Sequence, residues 1–107
     1  MSKSSITINK RSGLSPVHPG EILADELAEL GMSSNKLANA LNVPANRISE
    51  IVAGKRAVTA DTALRLGQYF GTGPEVWLNL QTNYDLGIAQ AESGKEIART
   101  IKQRQAA

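Results

Sequence analysis

Apolar residues between positions 19 and 86 recur at spacings of three and four, and turn-forming residues interrupt them at intervals. Such spacing places apolar side chains on one face of an α-helix. Gly31, Asn42, Gly54 and Gly71 stand where these stripes end, and both residue types adopt the left-handed backbone conformation that terminates helices. No alternating strand pattern competes over residues 19–86. The pattern therefore predicts an all-α protein, a compact bundle of about five helices.

Capping residues predict where the helices begin. Pro19 has the fixed φ of a first helical turn. Either Ser33 or Ser34 can cap the second helix, and Thr59 can cap the fourth. Pro44 cannot continue the second helix without strain, but it can open a third. The predicted helices run from Pro19 to Leu30, from Ser33 or Ser34 to Leu41, from Pro44 to about Ala53, from Thr59 to Phe70, and from Pro74 onward.

The two ends of the chain lack this regular pattern. Residues 1–17 are polar and predict an N-terminal arm, in which Ile6 and Ile8 would allow a short strand paired with a partner. Gly87 is expected to break the fifth helix, which leaves residues 88–107 as a basic tail, helical or flexible. One domain of this length has an expected radius of gyration of roughly 13 Å.

The segment from Ser34 to Gly54 carries the most specific pattern in the chain. It predicts two short helices joined by a three-residue turn. Five positions meet the demands of a helix-turn-helix: a small residue where the helices cross, a residue tolerant of positive φ in the turn, an apolar plug, and two apolar anchors on the second helix. These positions are Ala38, Asn42, Val43, Ile48 and Ile51. Residues 18–87 are therefore predicted to form a helix-turn-helix DNA-binding domain.

The polar outer face of the third helix predicts the contacts with DNA, because the N-terminal end of such a helix enters the major groove. Asn46 suits adenine, Arg47 suits guanine or a flanking phosphate, and Glu50 can accept from cytosine. Ser34 and Asn35 are placed to bind a phosphate at the start of the second helix. The predicted DNA-binding residues are Ser34, Asn35, Lys36, Ala45, Asn46, Arg47, Ser49, Glu50, Lys55 and Arg56.

Simpler interpretations stand beside these assignments. Arg47 and Glu50 could be ordinary surface charges, although their register favours DNA, and Lys36 is equally well explained as a solvated lysine. Arg65 is expected to pair with Asp61, four residues earlier on the same helix. The aromatic residues are expected to build the core rather than to stack on bases. They are Tyr69, Phe70, Trp77 and Tyr84.

Charge and composition narrow the function further. The net charge is only +2, but a basic block at residues 33–57 lies between acidic blocks at 21–30 and 58–94, which favours an anionic partner on one face. The chain has no cysteine and one histidine, which excludes thiolate sites and multi-histidine metal sites. No catalytic or phosphate-loop motif occurs, and no apolar run approaches the roughly 18 residues of a membrane span. We expect a cytoplasmic protein that is not an enzyme, with no cofactor, no metal and no membrane contact.

Several longer stretches resemble one family. They are HPGEIL at His18–Leu23, NKLANALNV at residues 35–43, RISEIVAGKR at Arg47–Arg56, and TADTALRLGQYFGTGPEVWLNLQTNYDL at Thr59–Leu86. Over residues 17–87 the chain resembles the HigA antitoxins, also called virulence-associated protein I, within the Cro/C1-type helix-turn-helix family with its lambda-repressor-like fold. The resemblance implies a repressor of its own operon that also neutralises a HigB-like toxin of the RelE-like ribonuclease class.

One helix-turn-helix buries little surface on DNA, so a single copy would bind weakly. We therefore predict a homodimer that places two recognition helices roughly 34 Å apart on a palindromic operator. Two alternatives remain open from the sequence. The first is a stand-alone helix-turn-helix regulator without a toxin partner. The second is a protein-interaction module that uses its helical surface without DNA.

Overall fold

The computed structural model describes residues 16–105, and within them the chain forms five α-helices and no strand. The helices are α1 (Pro19–Leu30), α2 (Ser34–Leu41), α3 (Ala45–Val52), α4 (Ala60–Phe70) and α5 (Glu75–Thr100). The predicted all-α class with five helices is thus confirmed. The predicted arm, with its short strand at Ile6 and Ile8, lies outside the described residues except for Pro16 and Val17.

The helix ends follow the capping residues. The side chains of His18, Ser33 and Thr59 each accept a hydrogen bond from a backbone N–H in the first turn of the helix that follows. Residues in the left-handed conformation terminate α1, α2 and α4. One of these is Asn42 (φ 60°), and no other non-glycine residue in the described part of the chain has a positive φ.

The core lies where all five helices meet. Leu23 of α1, Leu66 of α4 and Trp77 of α5 are fully buried, and the helix-turn-helix contributes residues from both of its helices. Around this centre the apolar side chains exclude water, which supplies the main driving force for folding. The other buried apolar residues are Leu27, Leu37, Ala38, Leu41, Val43, Ile48, Ile51, Val58, Ala63 and Leu80.

The N-terminus of α1 rests directly on the C-terminal end of α3. Pro19 is fully buried there, and a Cβ atom added to Gly20 would lie 1.8 Å from the carbonyl oxygen of Ile51. His18 completes the junction, because its Nδ1 atom accepts a hydrogen bond of 2.8 Å from the Gly20 N–H. The sequence His-Pro-Gly therefore lets the start of α1 pack closely on the end of α3.

The prediction that Gly87 breaks the fifth helix is wrong, since α5 runs without interruption to Thr100. Gly87 serves close packing instead: a Cβ atom at this position would lie 2.7 Å from Cγ of Pro16. The missing side chain lets the N-terminal segment cross α5. The long helix also explains why the radius of gyration is 16.5 Å rather than the expected value of roughly 13 Å.

The expectation for the aromatic residues holds in part. Trp77 is fully buried, and Phe70 and Tyr84 are half-buried against the bundle. Tyr69 is 41% exposed, so its placement in the core is wrong. Within residues 16–105 no helix combines the length and the apolar character needed to cross a membrane.

Candidate nucleic-acid interface

Helices α2 and α3 form a helix-turn-helix with the predicted geometry. The turn residue Asn42 is left-handed, and the N–H of Val43 donates to the carbonyl oxygen of Ala38 at 3.0 Å. Val43 is buried in the turn, while Ile48 and Ile51 are fully buried on the inner face of α3. The small residue, the left-handed turn, the apolar plug and the two anchors are therefore confirmed.

The opposite face of α3 is turned toward solvent. Ala45, Asn46 and Ser49 are exposed, whereas Arg47 and Glu50 are partly exposed. The Ser49 hydroxyl donates weakly to the backbone carbonyl of Asn46 at 3.5 Å. The side chains predicted to contact base edges thus share one accessible face.

Arg47 is held by a neighbouring helix. Its Nη1 atom lies 2.5 Å from Oδ2 of Asp61 at the start of α4. The same oxygen accepts from Nε of Arg65 at 3.0 Å, which confirms the predicted pair between Arg65 and Asp61. The hydrogen bond from Arg65, followed by that from Arg47, lowers the pKa of Asp61 below its ordinary value. The carboxylate therefore stays ionised beside the recognition helix.

Two further predicted contact residues pair with each other. Nε and Nη2 of Arg56 lie 2.9 Å and 2.6 Å from Oε1 of Glu50, across the C-terminal end of α3. Both side chains are 41% exposed, and ion pairs of this kind contribute at most about 1 kcal/mol to stability. Because the pair is weak, it can open with little loss of stability.

The start of α2 offers backbone donors at the edge of the same surface. The Ser33 hydroxyl accepts from the N–H of Lys36 at 3.1 Å, so Ser33 rather than Ser34 is the cap. The N–H groups of Ser34 and Asn35 precede the first intrahelical hydrogen bond and have no partner within an α-helix. Lys36 is exposed and belongs to none of the four ion pairs formed by residues 16–105.

A buried glutamine fixes the loop that follows α3. Oε1 of Gln81 accepts from the N–H of Val58 at 2.7 Å, and its Nε2 donates to Asp85 at 3.0 Å. This contact ties the loop that carries Lys55 and Arg56 to α5. Sequence reasoning missed Gln81, although a polar residue four positions after Trp77 falls on the buried stripe of the helix and so predicts a buried hydrogen bond.

A helix-turn-helix whose second helix shows a polar, accessible face beside several cationic groups defines a DNA-binding class of protein. A family model described as helix-turn-helix matches residues 23–77. Virulence-associated protein I of Dichelobacter nodosus is 53% identical over 77 residues, which cover 71% of each chain. The chain therefore belongs to the Cro/C1-type helix-turn-helix family, in the branch of the HigA antitoxins and virulence-associated protein I.

Two solved structures extend this similarity to the fold. An addiction module antidote protein of the HigA family from Coxiella burnetii superposes with a TM-score of 0.83 at 52% identity, covering 85% of this chain and all of its own. The antitoxin HigA of Pseudomonas aeruginosa, solved with the higBA promoter, superposes with a TM-score of 0.81 at 46% identity. That match covers 84% of this chain and 99% of the Pseudomonas protein. The bundle described above is thus the HigA fold.

Proposed function

We propose that this protein is the antitoxin of a type II toxin–antitoxin pair and a repressor of its own operon. The observation that carries the proposal is the accessible polar face of α3, in the register that recognition helices use in the major groove. The similar HigA protein of Pseudomonas aeruginosa was solved with promoter DNA, which supports the same use of this face.

The interface divides into base contacts and phosphate contacts. Asn46, Arg47, Ser49 and Glu50 would meet base edges, with Ala45 beside a thymine methyl group. The N–H groups at the start of α2 would hold one phosphate. Cationic side chains would hold others and make binding sensitive to salt, because each phosphate contact releases counterions. The backbone donors are those of Ser34 and Asn35, and the cationic side chains are those of Lys36, Lys55 and Arg56.

The proposed assembly on DNA is a homodimer. A single module of this size buries too little surface for tight, specific binding, whereas two copies on a palindrome bring two recognition helices roughly one helical turn apart. The proposed protein partner is a HigB-like toxin of the RelE-like ribonuclease class. The protein would bind operator DNA and the toxin in the cytoplasm, without catalysis and without a metal or cofactor.

The test of DNA binding compares two asparagines. Asn46→Ala should weaken binding to the promoter upstream of the gene by about 1–3 kcal/mol and relax base preference, as expected when one bidentate base contact is lost. Asn83→Ala, at an exposed position of α5, is the matched control and should leave affinity unchanged. Fluorescence anisotropy gives the affinities, and a footprint gives the site. Equal affinity of the wild-type chain for promoter and scrambled DNA would contradict the proposal.

The toxin partner is tested separately. The chain is coexpressed with the product of the neighbouring gene, copurified, and assayed for whether it suppresses that product's ribonuclease activity. A complex with suppressed activity supports the antitoxin role. Operator binding without any such complex would instead identify a stand-alone helix-turn-helix regulator.

A further inference from the structure

The carboxylate of Asp61 in α4 accepts hydrogen bonds from Arg47 of α3 and from Arg65 of α4. We propose that Asp61 is a positioning residue for DNA recognition, which holds the Arg47 guanidinium so that it favours a base edge over the phosphate backbone. This inference rests on the proposed function of α3, and it assigns to α4 a part in sequence discrimination.

The contacts form a continuous chain across three helices. Oδ2 of Asp61 accepts from Nη1 of Arg47 at 2.5 Å and from Nε of Arg65 at 3.0 Å. Nη1 of Arg65 in turn donates to the carbonyl oxygen of Leu41 at 2.8 Å. Leu41 is the last residue of α2, so Asp61 and Arg65 tie α3 to the end of the helix that precedes the turn.

The exposure of these groups argues against a purely stabilising role. The Asp61 side chain is 55% exposed, and Arg47 and Arg65 are 29% and 39% exposed. Ion pairs at such positions contribute little to the free energy of unfolding. Their main consequence is conformational: Arg47, a long side chain with many rotamers, is already restricted before DNA arrives.

The charge of Asp61 makes this restriction selective. A phosphate that approached Arg47 would also approach the Asp61 carboxylate, and the two anions repel each other. The acceptors of guanine are neutral atoms, O6 and N7, and they meet much less of this repulsion. Binding to non-operator DNA, where Arg47 could contact only phosphate, is therefore weakened. Unfavourable contacts with the wrong partner create specificity in this way.

A double-mutant cycle tests the proposal on the full-length chain. Asp61→Asn, Arg47→Ala and the double variant are each titrated against the operator and against scrambled DNA of the same length, at several salt concentrations. Glu29→Gln, an exposed charge removal on α1, is the matched control for net charge. Urea unfolding of each variant establishes that it is folded.

The expected result is a change in discrimination rather than in fold. Asp61→Asn should bind scrambled DNA about threefold or more tightly, should lower the ratio of operator to scrambled affinity by a similar factor, and should steepen the salt dependence by about one phosphate contact. Glu29→Gln should leave the ratio unchanged. In the Arg47→Ala background, Asp61→Asn should no longer affect the ratio, because the group it positions is absent.

Two results would overturn the inference while leaving the proposed function intact. One is an unchanged ratio in Asp61→Asn. The other is an equal change in both backgrounds, which would mean that Asp61 acts as a distant charge and not through Arg47. A wild-type chain that does not distinguish operator from scrambled DNA would overturn the proposed function, and this inference with it.

Discussion

Residues 18–87 and residues 88–105 are both largely helical, but different forces hold them. In the first region every helix contributes buried side chains, and at Gly20 and Gly67 another part of the backbone lies too close for a Cβ atom to fit. In the second region α5 continues for more than three turns with nearly every side chain exposed. The bundle therefore depends on tertiary contacts, whereas the extension depends on the helix propensity of its own residues.

The proposed functions follow the same division. Every predicted DNA-binding residue lies in the bundle: Ser33 caps α2, the end of α3 packs closely on Gly20, and the buried side chain of Gln81 holds the loop after α3. Binding sites placed on such fixed elements hold their geometry better than sites on mobile ones. The comparison predicts that identical substitutions in the two regions will have different, and in one case opposite, effects.

The largest contrast is expected between two glycines changed to alanine. Gly20→Ala should lower the free energy of unfolding by about 3 kcal/mol, because the new Cβ atom would lie 1.8 Å from the Ile51 carbonyl oxygen and force α1 away from α3. Gly94→Ala should raise it by about 0.5–1 kcal/mol, since its Cβ atom would meet only Cβ of Gln90, at an ordinary distance of 3.7 Å. Urea unfolding followed by circular dichroism measures both. An equal destabilisation by the two substitutions would contradict the view that tertiary contacts hold the bundle and helix propensity holds the extension.

A smaller contrast is expected between two glutamines of α5. Gln81→Leu removes the buried acceptor of the Val58 N–H and should destabilise the protein by about 1–3 kcal/mol. Gln90→Leu, at an exposed position of the extension, should change stability by less than about 0.5 kcal/mol. Amide hydrogen exchange gives a local measurement: the Val58 N–H should exchange faster in Gln81→Leu alone. Unchanged exchange there would mean that the loop after α3 is fixed by something other than Gln81.

Much of the bundle could be predicted because its signals are local. A cap, a left-handed turn residue and an apolar stripe each act within a few residues, so Asn42 and Thr59 mark helix ends in the sequence, and the cap of α2 is narrowed to Ser33 or Ser34. The pair between Arg65 and Asp61 was predictable for the same reason, since it joins one turn of one helix.

The features that sequence reasoning missed join residues of different elements. Gly87 looks like a helix breaker until Pro16 is seen to pack on it. Arg47 and Asp61 are 14 positions apart on different helices, and only the packing of α3 beside α4 brings them together. The polar face of α3 is exposed as the sequence predicts, but the ion pair of its arginine depends on Asp61, which no local pattern identifies as the partner.

The smallest effect on the free energy of unfolding is expected from lowering the pH, and it arises in the bundle alone. Burial lowers the pKa of His18 below its ordinary value of 6.5, and the nearby charges of Asp85 and Glu21 offset this only in part. The neutral ring is also the form whose Nδ1 accepts from the Gly20 N–H. The folded state therefore favours neutral His18, and its contribution is fully present above the pKa of the unfolded chain.

Acidification should remove that contribution as the pH falls through 6.5 and then through the lower pKa of the folded state. The free energy of unfolding, measured in urea between pH 7.5 and 5, should decline accordingly, and residues 88–105, which hold no histidine, should not contribute to the decline. His18→Asn is the matched control, because asparagine can cap a helix but does not titrate. The free energy of unfolding of His18→Asn should vary less with pH across this range. An equally steep decline in His18→Asn would assign the acid sensitivity to carboxylates and not to the cap that seats α1 on the recognition helix.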